Sequence, residues 1–85
     1  MFYIYIIKSK KNGELYIGFT NNLVKRLKEH NLGLSLHTKK YIPWKIVYFE
    51  GYNNEYDAKD REKKLKQFGR VYSQLKRRIK SSLQS

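Results

Sequence analysis

The chain has no cysteine and only one proline. Without thiols it can build neither a disulfide framework nor a Cys-containing zinc site, so packing must hold it together. Acid is scarce as well. Seven Asp and Glu stand against nineteen Lys and Arg, a formal net charge of +12 at pH 7. After Glu62 no acid occurs at all, while Lys63, Lys64, Lys66, Arg70, Lys76, Arg77, Arg78 and Lys80 follow. Such a one-sided tail is either a solvated, solubilising face or a track for nucleic-acid phosphates, and its asymmetry favours the second. Long apolar runs are missing too. Phe2–Ile7 is too short for a membrane span and lacks the basic flank of a signal peptide. The expectation is a soluble, cytoplasmic protein, with no membrane partner, that folds as one small domain over residues 1–85.

What is present is aromatic and β-branched. Residues 2 to 8 alternate as a strand, with Phe2, Ile4 and Ile6 on one face and Tyr3, Tyr5 and Ile7 on the other. Asn12-Gly13 signals a hairpin with a two-residue type I′ turn, which pairs Lys11 with Glu14. Tyr3 and Tyr5 then share a face with Tyr16, Gly18 and Thr20, and Leu15, Ile17 and Phe19 join the isoleucines on the core face. A helix follows from about Asn22 to Asn31, capped by asparagine and stopped near Gly33. Residues 33 to 43 form a polar, basic loop carrying Lys39 and Lys40. A third strand runs from Trp44 to Glu50, ended by Gly51 and Asn53. A second helix spans about Glu55 to Phe68 and breaks at Gly69, and a basic C-terminal helix begins at about 71 and runs to Leu83. The fold class is α+β: a small three-stranded, mostly antiparallel sheet flanked by helices, in the order β-β-α-β-α-α.

Three features carry chemistry. Glu62 falls on the inward stripe of the second helix with Ala58, Leu65 and Phe68, while Arg61 points elsewhere. A carboxylate on an apolar stripe is costly unless a cation meets it, either a Lys or Arg in a structural salt bridge or a divalent metal held through oxygen. On the first helix Arg26 and His30 share a stripe at i,i+4 spacing, a pair that a solvated helix also produces by chance. The eight tyrosines suit strands and half-buried packing, so each alone reads as structural.

Together they say more. Tyr3-Ile4-Tyr5, ten residues, Tyr16-Ile17-Gly18, then Arg26, His30 and a helical Glu62 resemble the GIY-YIG nuclease family. The similarity runs from the first strand to at least Leu65. It is greatest to small stand-alone bacterial proteins that are similar to the N-terminal nuclease domain of the repair excinuclease ABC. Tyr3 stands where the name-giving glycine would be, and Phe19 where some members carry lysine. The resemblance implies catalytic roles for Tyr5, Tyr16, Arg26, His30 and Glu62, with Glu62 binding one Mg²⁺ or Mn²⁺ ion. It implies DNA as substrate, with RNA left open, and a place in DNA repair or recombination. Arg26 would clamp the scissile phosphate. Tyr16, with Tyr5 beside it, would orient or deprotonate the water, which needs nearby positive charge to lower a phenol from its ordinary value near 10. Lys39, Lys40, Lys63, Lys66, Arg70, Lys76, Arg77, Arg78 and Lys80 are the expected nucleic-acid contacts. A chain of this kind that keeps the fold and basic surface but cuts slowly or not at all is the alternative.

Overall fold

The computed structural model describes all 85 residues. Its frame is a three-stranded antiparallel sheet in the order β2-β1-β3. The strands are β1 (Phe2–Ser9), β2 (Leu15–Thr20) and β3 (Trp44–Tyr52). Helix α1 (Leu23–Asn31) lies between β2 and β3 in sequence, and α2 (Glu55–Gln67), α3 (Gly69–Arg78) and the one-turn α4 (Lys80–Leu83) close the chain.

Both faces of the sheet are covered, not one. Ile4, Ile6 and Ile17 pack against Ala58, Leu65 and Leu75 from α2 and α3. Tyr5, Ile7 and Trp44 form a second cluster with Tyr16, Leu23, Leu27, Ile42 and Ile46, under α1. Central β1 therefore has buried residues on both sides, with Ile4, Ile6 and Ile7 each at 0% exposure. Each such burial contributes about 1.5–3 kcal/mol before the entropy of ordering is subtracted. A bulge in β3 between the pairs Ile6–Tyr48 and Ile7–Ile46 lets the two clusters run side by side.

The hairpin differs from the two-residue turn. Ser9, not Lys11, faces Glu14, with its amide 2.8 Å from the Glu14 carbonyl. Gly13 alone takes positive φ, at 77°, and no other kind of residue does, so Asn12 is not in a type I′ turn. The buried Ser9 hydroxyl donates to the Tyr41 carbonyl (2.6 Å) and accepts from the amides of Lys11 and Asn12. That network favours the longer loop. The slip is two residues, so every side chain keeps its face: Tyr3 pairs with Thr20, Tyr5 with Gly18 and Ile7 with Tyr16.

Other boundaries shift by short distances. β3 runs through Gly51 to Tyr52, paired with Phe2. Gly69 opens α3 instead of only ending α2, and Phe68, placed on the inward stripe by spacing, is 54% exposed. The final helix is not continuous: Ile79, at φ −110° and ψ 27°, separates α3 from α4. Asn22 and Asn54 cap α1 and α2 as expected, each accepting from an amide of the first turn. No helix is long and apolar enough to cross a membrane.

Candidate active site

Gly18 creates the site. It sits in β2 opposite Tyr5, and a Cβ built on it would lie 2.3 Å from the Tyr5 hydroxyl oxygen. Only a bare backbone lets the Tyr5 ring cross the edge strand. Tyr5 then reaches α1, where its hydroxyl meets His30 Nε2 at 2.7 Å. The His30 ring packs edge-on against both phenols, with centroids 5.8 Å from Tyr5 and 5.4 Å from Tyr16.

His30 is fully buried. Its second nitrogen, Nδ1, lies 2.7 Å from Thr38 Oγ1, and Thr38 is itself at 0% exposure. The Thr38 carbonyl accepts from the Trp44 indole at 2.8 Å, and Asn31 bonds both backbone groups of Trp44. Loop 33–43 is thus tied to the end of α1 and the start of β3. Burial lowers the His30 imidazole to about 4, and the Arg26 charge adds to the effect against Glu29. His30 is neutral at pH 7.

Arg26 lines a tight apolar crevice with Tyr5, Leu23 and Leu27, and its Nη1 donates to Glu29 Oε1 at 3.0 Å. Burial pushes the Tyr5 phenol up to about 12, outweighing the neighbouring guanidinium of Arg26, while Tyr16 and Glu62 add to the rise. The charge lowering expected of the site therefore does not prevail at Tyr5, which keeps its proton. Glu62 is close enough to be felt by that phenol, although it arrives from α2 on the other side of the sheet. Its side chain is 23% exposed and accepts from Lys66 Nζ at 3.1 Å. Lys66 also stands 5.7 Å over the Tyr16 ring. Tyr5, Tyr16, Arg26, His30 and Glu62 thus gather around the outer edge of β2.

Arg61 departs from its expected place. It turns inward and holds Glu50 of β3 through Nε (2.9 Å) and Nη2 (3.1 Å), while Tyr48 and Tyr52 donate to the same carboxylate. Burial would raise Glu50, but those bonds outweigh it and hold it below the usual carboxylate range. This is the ion pair that ties α2 to the sheet, and it leaves Glu62 at the rim. Phe19, after the second tyrosine motif, stacks on Phe2 with the Lys59 ammonium 5.4 Å above its ring.

The basic residues divide. Lys66 belongs to the site itself. A shallow groove of about 270 Å³ leads from Tyr16 and Lys66 to Tyr72 on α3, and Lys76 lies 4.5 Å over the Tyr72 ring. Lys63, Arg70, Arg77, Arg78 and Lys80 are exposed on the C-terminal helices, and Lys39 and Lys40 on a 3₁₀ turn beyond Thr38. Neither Thr38 nor the Glu50–Arg61 pair was expected from sequence. Only the run of short polar residues around Ser35 to Thr38 hinted at the first.

No group of three or more His, Cys, Asp or Glu gathers anywhere in the chain, and His30 has both nitrogens engaged. A metal would rest on Glu62, displacing Lys66. One carboxylate fits a small hard cation that keeps most of its waters, not an ion that needs a protein cage.

Comparison with known proteins agrees with this geometry. The chain is 45% identical over 71 residues to a UPF0213 protein of Clostridium perfringens, covering 82% of this chain and 75% of that one. It is 39% identical over 67 residues to a UPF0213 protein of Pediococcus pentosaceus (78% and 70% covered), and 39% over 69 to one of Staphylococcus haemolyticus (80% and 83%). No solved structure matches. The model of the GIY-YIG catalytic domain matches residues 1–72, and the chain belongs to that family, within a nuclease superfamily.

Proposed function

We propose that the protein is a DNA endonuclease that hydrolyses phosphodiester bonds with one Mg²⁺ or Mn²⁺ ion on Glu62. The observation that carries this is the convergence of two phenols, a guanidinium and a carboxylate where Gly18 opens the edge strand. Arg26 offers a fork of donors to the non-bridging oxygens of the scissile phosphate. Tyr5, protonated at pH 7, donates to a phosphoryl oxygen, and neutral His30 holds it there. Tyr16 orients the attacking water or takes its proton. A bound divalent ion supplies positive charge where the phosphorane-like state gathers negative charge. The groove from Tyr16 to Lys76 extends the contact along the phosphate backbone.

Glu62 already ion-paired to Lys66, together with a high Tyr5, favours the second reading: a nucleic-acid-binding module with slow or no cleavage. One experiment separates them. Supercoiled, branched and single-stranded DNA and RNA are incubated with the pure protein in Mg²⁺ or Mn²⁺. Nicking that stops with EDTA, and that favours branched DNA if repair intermediates are its substrates, supports the nuclease. Binding without cleavage on every substrate overturns it.

A further inference from the structure

We propose that Thr38 is a positioning residue that sets the His30 tautomer and thereby aims the Tyr5 proton at the substrate. Thr38, His30 and Tyr5 form one chain of two hydrogen bonds, each 2.7 Å. His30 is neutral, so its single N–H can sit on either nitrogen. With the proton on Nδ1, His30 donates to Thr38, Tyr5 donates to Nε2, and the Thr38 hydroxyl proton needs another acceptor. It has none. Thr38 is at 0% exposure, and its hydroxyl makes no bond besides the one to Nδ1. The nearby Ser35 carbonyl already receives the amides of Thr38 and Lys39. An orphaned hydroxyl proton in a dry site is expensive.

With the proton on Nε2 the accounting closes. Thr38 donates to Nδ1, Nε2 donates to the Tyr5 oxygen, and the unplaced proton is that of Tyr5. That end of the chain faces Arg26, Tyr16 and Glu62, where a phosphate oxygen would come to rest. Arg26, which can only donate, suits a Tyr5 oxygen that accepts. The consequence for catalysis rests on the reading above, whereas the tautomer stands without it.

The ¹⁵N chemical shifts and long-range couplings of the His30 ring report the tautomer directly, in the whole protein and without substrate. The expected result is Nε2–H in the wild type and in Thr38→Ser. In Thr38→Val, which keeps the shape and removes the donor, the preference is lost. In the cleavage assay Thr38→Val should lower kcat on the order of 10²-fold at unchanged KM for DNA, with Thr38→Ser restoring it. A wild-type Nδ1–H tautomer overturns the inference whatever the cleavage result, as does an unchanged Nε2–H in folded Thr38→Val. Should Thr38→Val fail to fold, the wild type and Thr38→Ser still decide. Nε2–H with no cleavage on any substrate overturns the nuclease reading alone.

Discussion

Acid should unfold this protein through His30. The imidazole is held at about 4 by burial, against an ordinary value of 6.5 in the unfolded chain. Between those values the unfolded chain binds the extra proton, so stability falls as pH drops. It is fully present above about pH 6.5, and the loss ends near pH 4. The whole difference of about 2.5 units corresponds to about 3 kcal/mol, and roughly 2 kcal/mol of it is already lost at pH 5. The groups facing the ring are Tyr5, Tyr16, Arg26, Glu29 and Thr38, and none offers a carboxylate hydrogen bond that would welcome a second proton. Urea unfolding followed by circular dichroism across this window measures the slope. His30→Gln is the control, because it removes the titrating group while Glu50 and the other carboxylates titrate in both proteins. Wild type should lose about 2 kcal/mol more than His30→Gln between pH 7 and 5. Parallel slopes would show that His30 accepts a proton in the fold and that its neutrality is mistaken.

Gly18→Ala should destabilise the protein by about 1–3 kcal/mol, because a methyl carbon 2.3 Å from the Tyr5 oxygen must push the ring off His30; an unchanged unfolding midpoint refutes this. Glu62→Ala should unfold at nearly the wild-type urea concentration, since an exposed i,i+4 pair with Lys66 is worth only tenths of a kcal/mol, yet lose Mn²⁺ binding and cleavage. A variant that loses several kcal/mol makes Glu62 structural. Neutralising Lys76, Arg77, Arg78 and Lys80 together should flatten the salt dependence of DNA binding by up to several units, at about 0.9 per lost phosphate contact, in fluorescence anisotropy. An unchanged slope moves the DNA track elsewhere.

Much of the fold was legible because alternation in β1 and β2 survives an error in the turn. Asn12-Gly13 suggested pairing Lys11 with Glu14, and the actual closing pair is Ser9 with Glu14. What decided it was the Ser9 hydroxyl reaching Tyr41, a contact thirty-two positions away that no local pattern encodes. Parity protected the result, and Tyr5 still met Gly18. The second buried face was missed for a related reason. Tyrosines on the far side of β1 read as half-exposed until α1 and Trp44 cover them.

The legible half of the candidate site is the half written in local spacing. Arg26 and His30 come from one helix face, and Tyr5 and Tyr16 from strands whose register parity held. Glu62 and Arg61 show where such reasoning stops. They are neighbours on α2, both half-buried, and helical spacing alone could turn either inward. The choice is made by Glu50, eleven residues before Arg61, which offers a carboxylate between two phenol donors on the covered face of β3. A buried anion needs a cation, so Arg61 is drawn in and Glu62 is left at the rim with only Lys66 against it. A carboxylate held by a flexible, solvated ammonium is one that a metal ion can claim, whereas one forked by a buried guanidinium is not. The structural salt bridge and the metal ligand, weighed against each other at a single glutamate, are thus divided between two: Glu50 takes the first role, which frees Glu62 for the second.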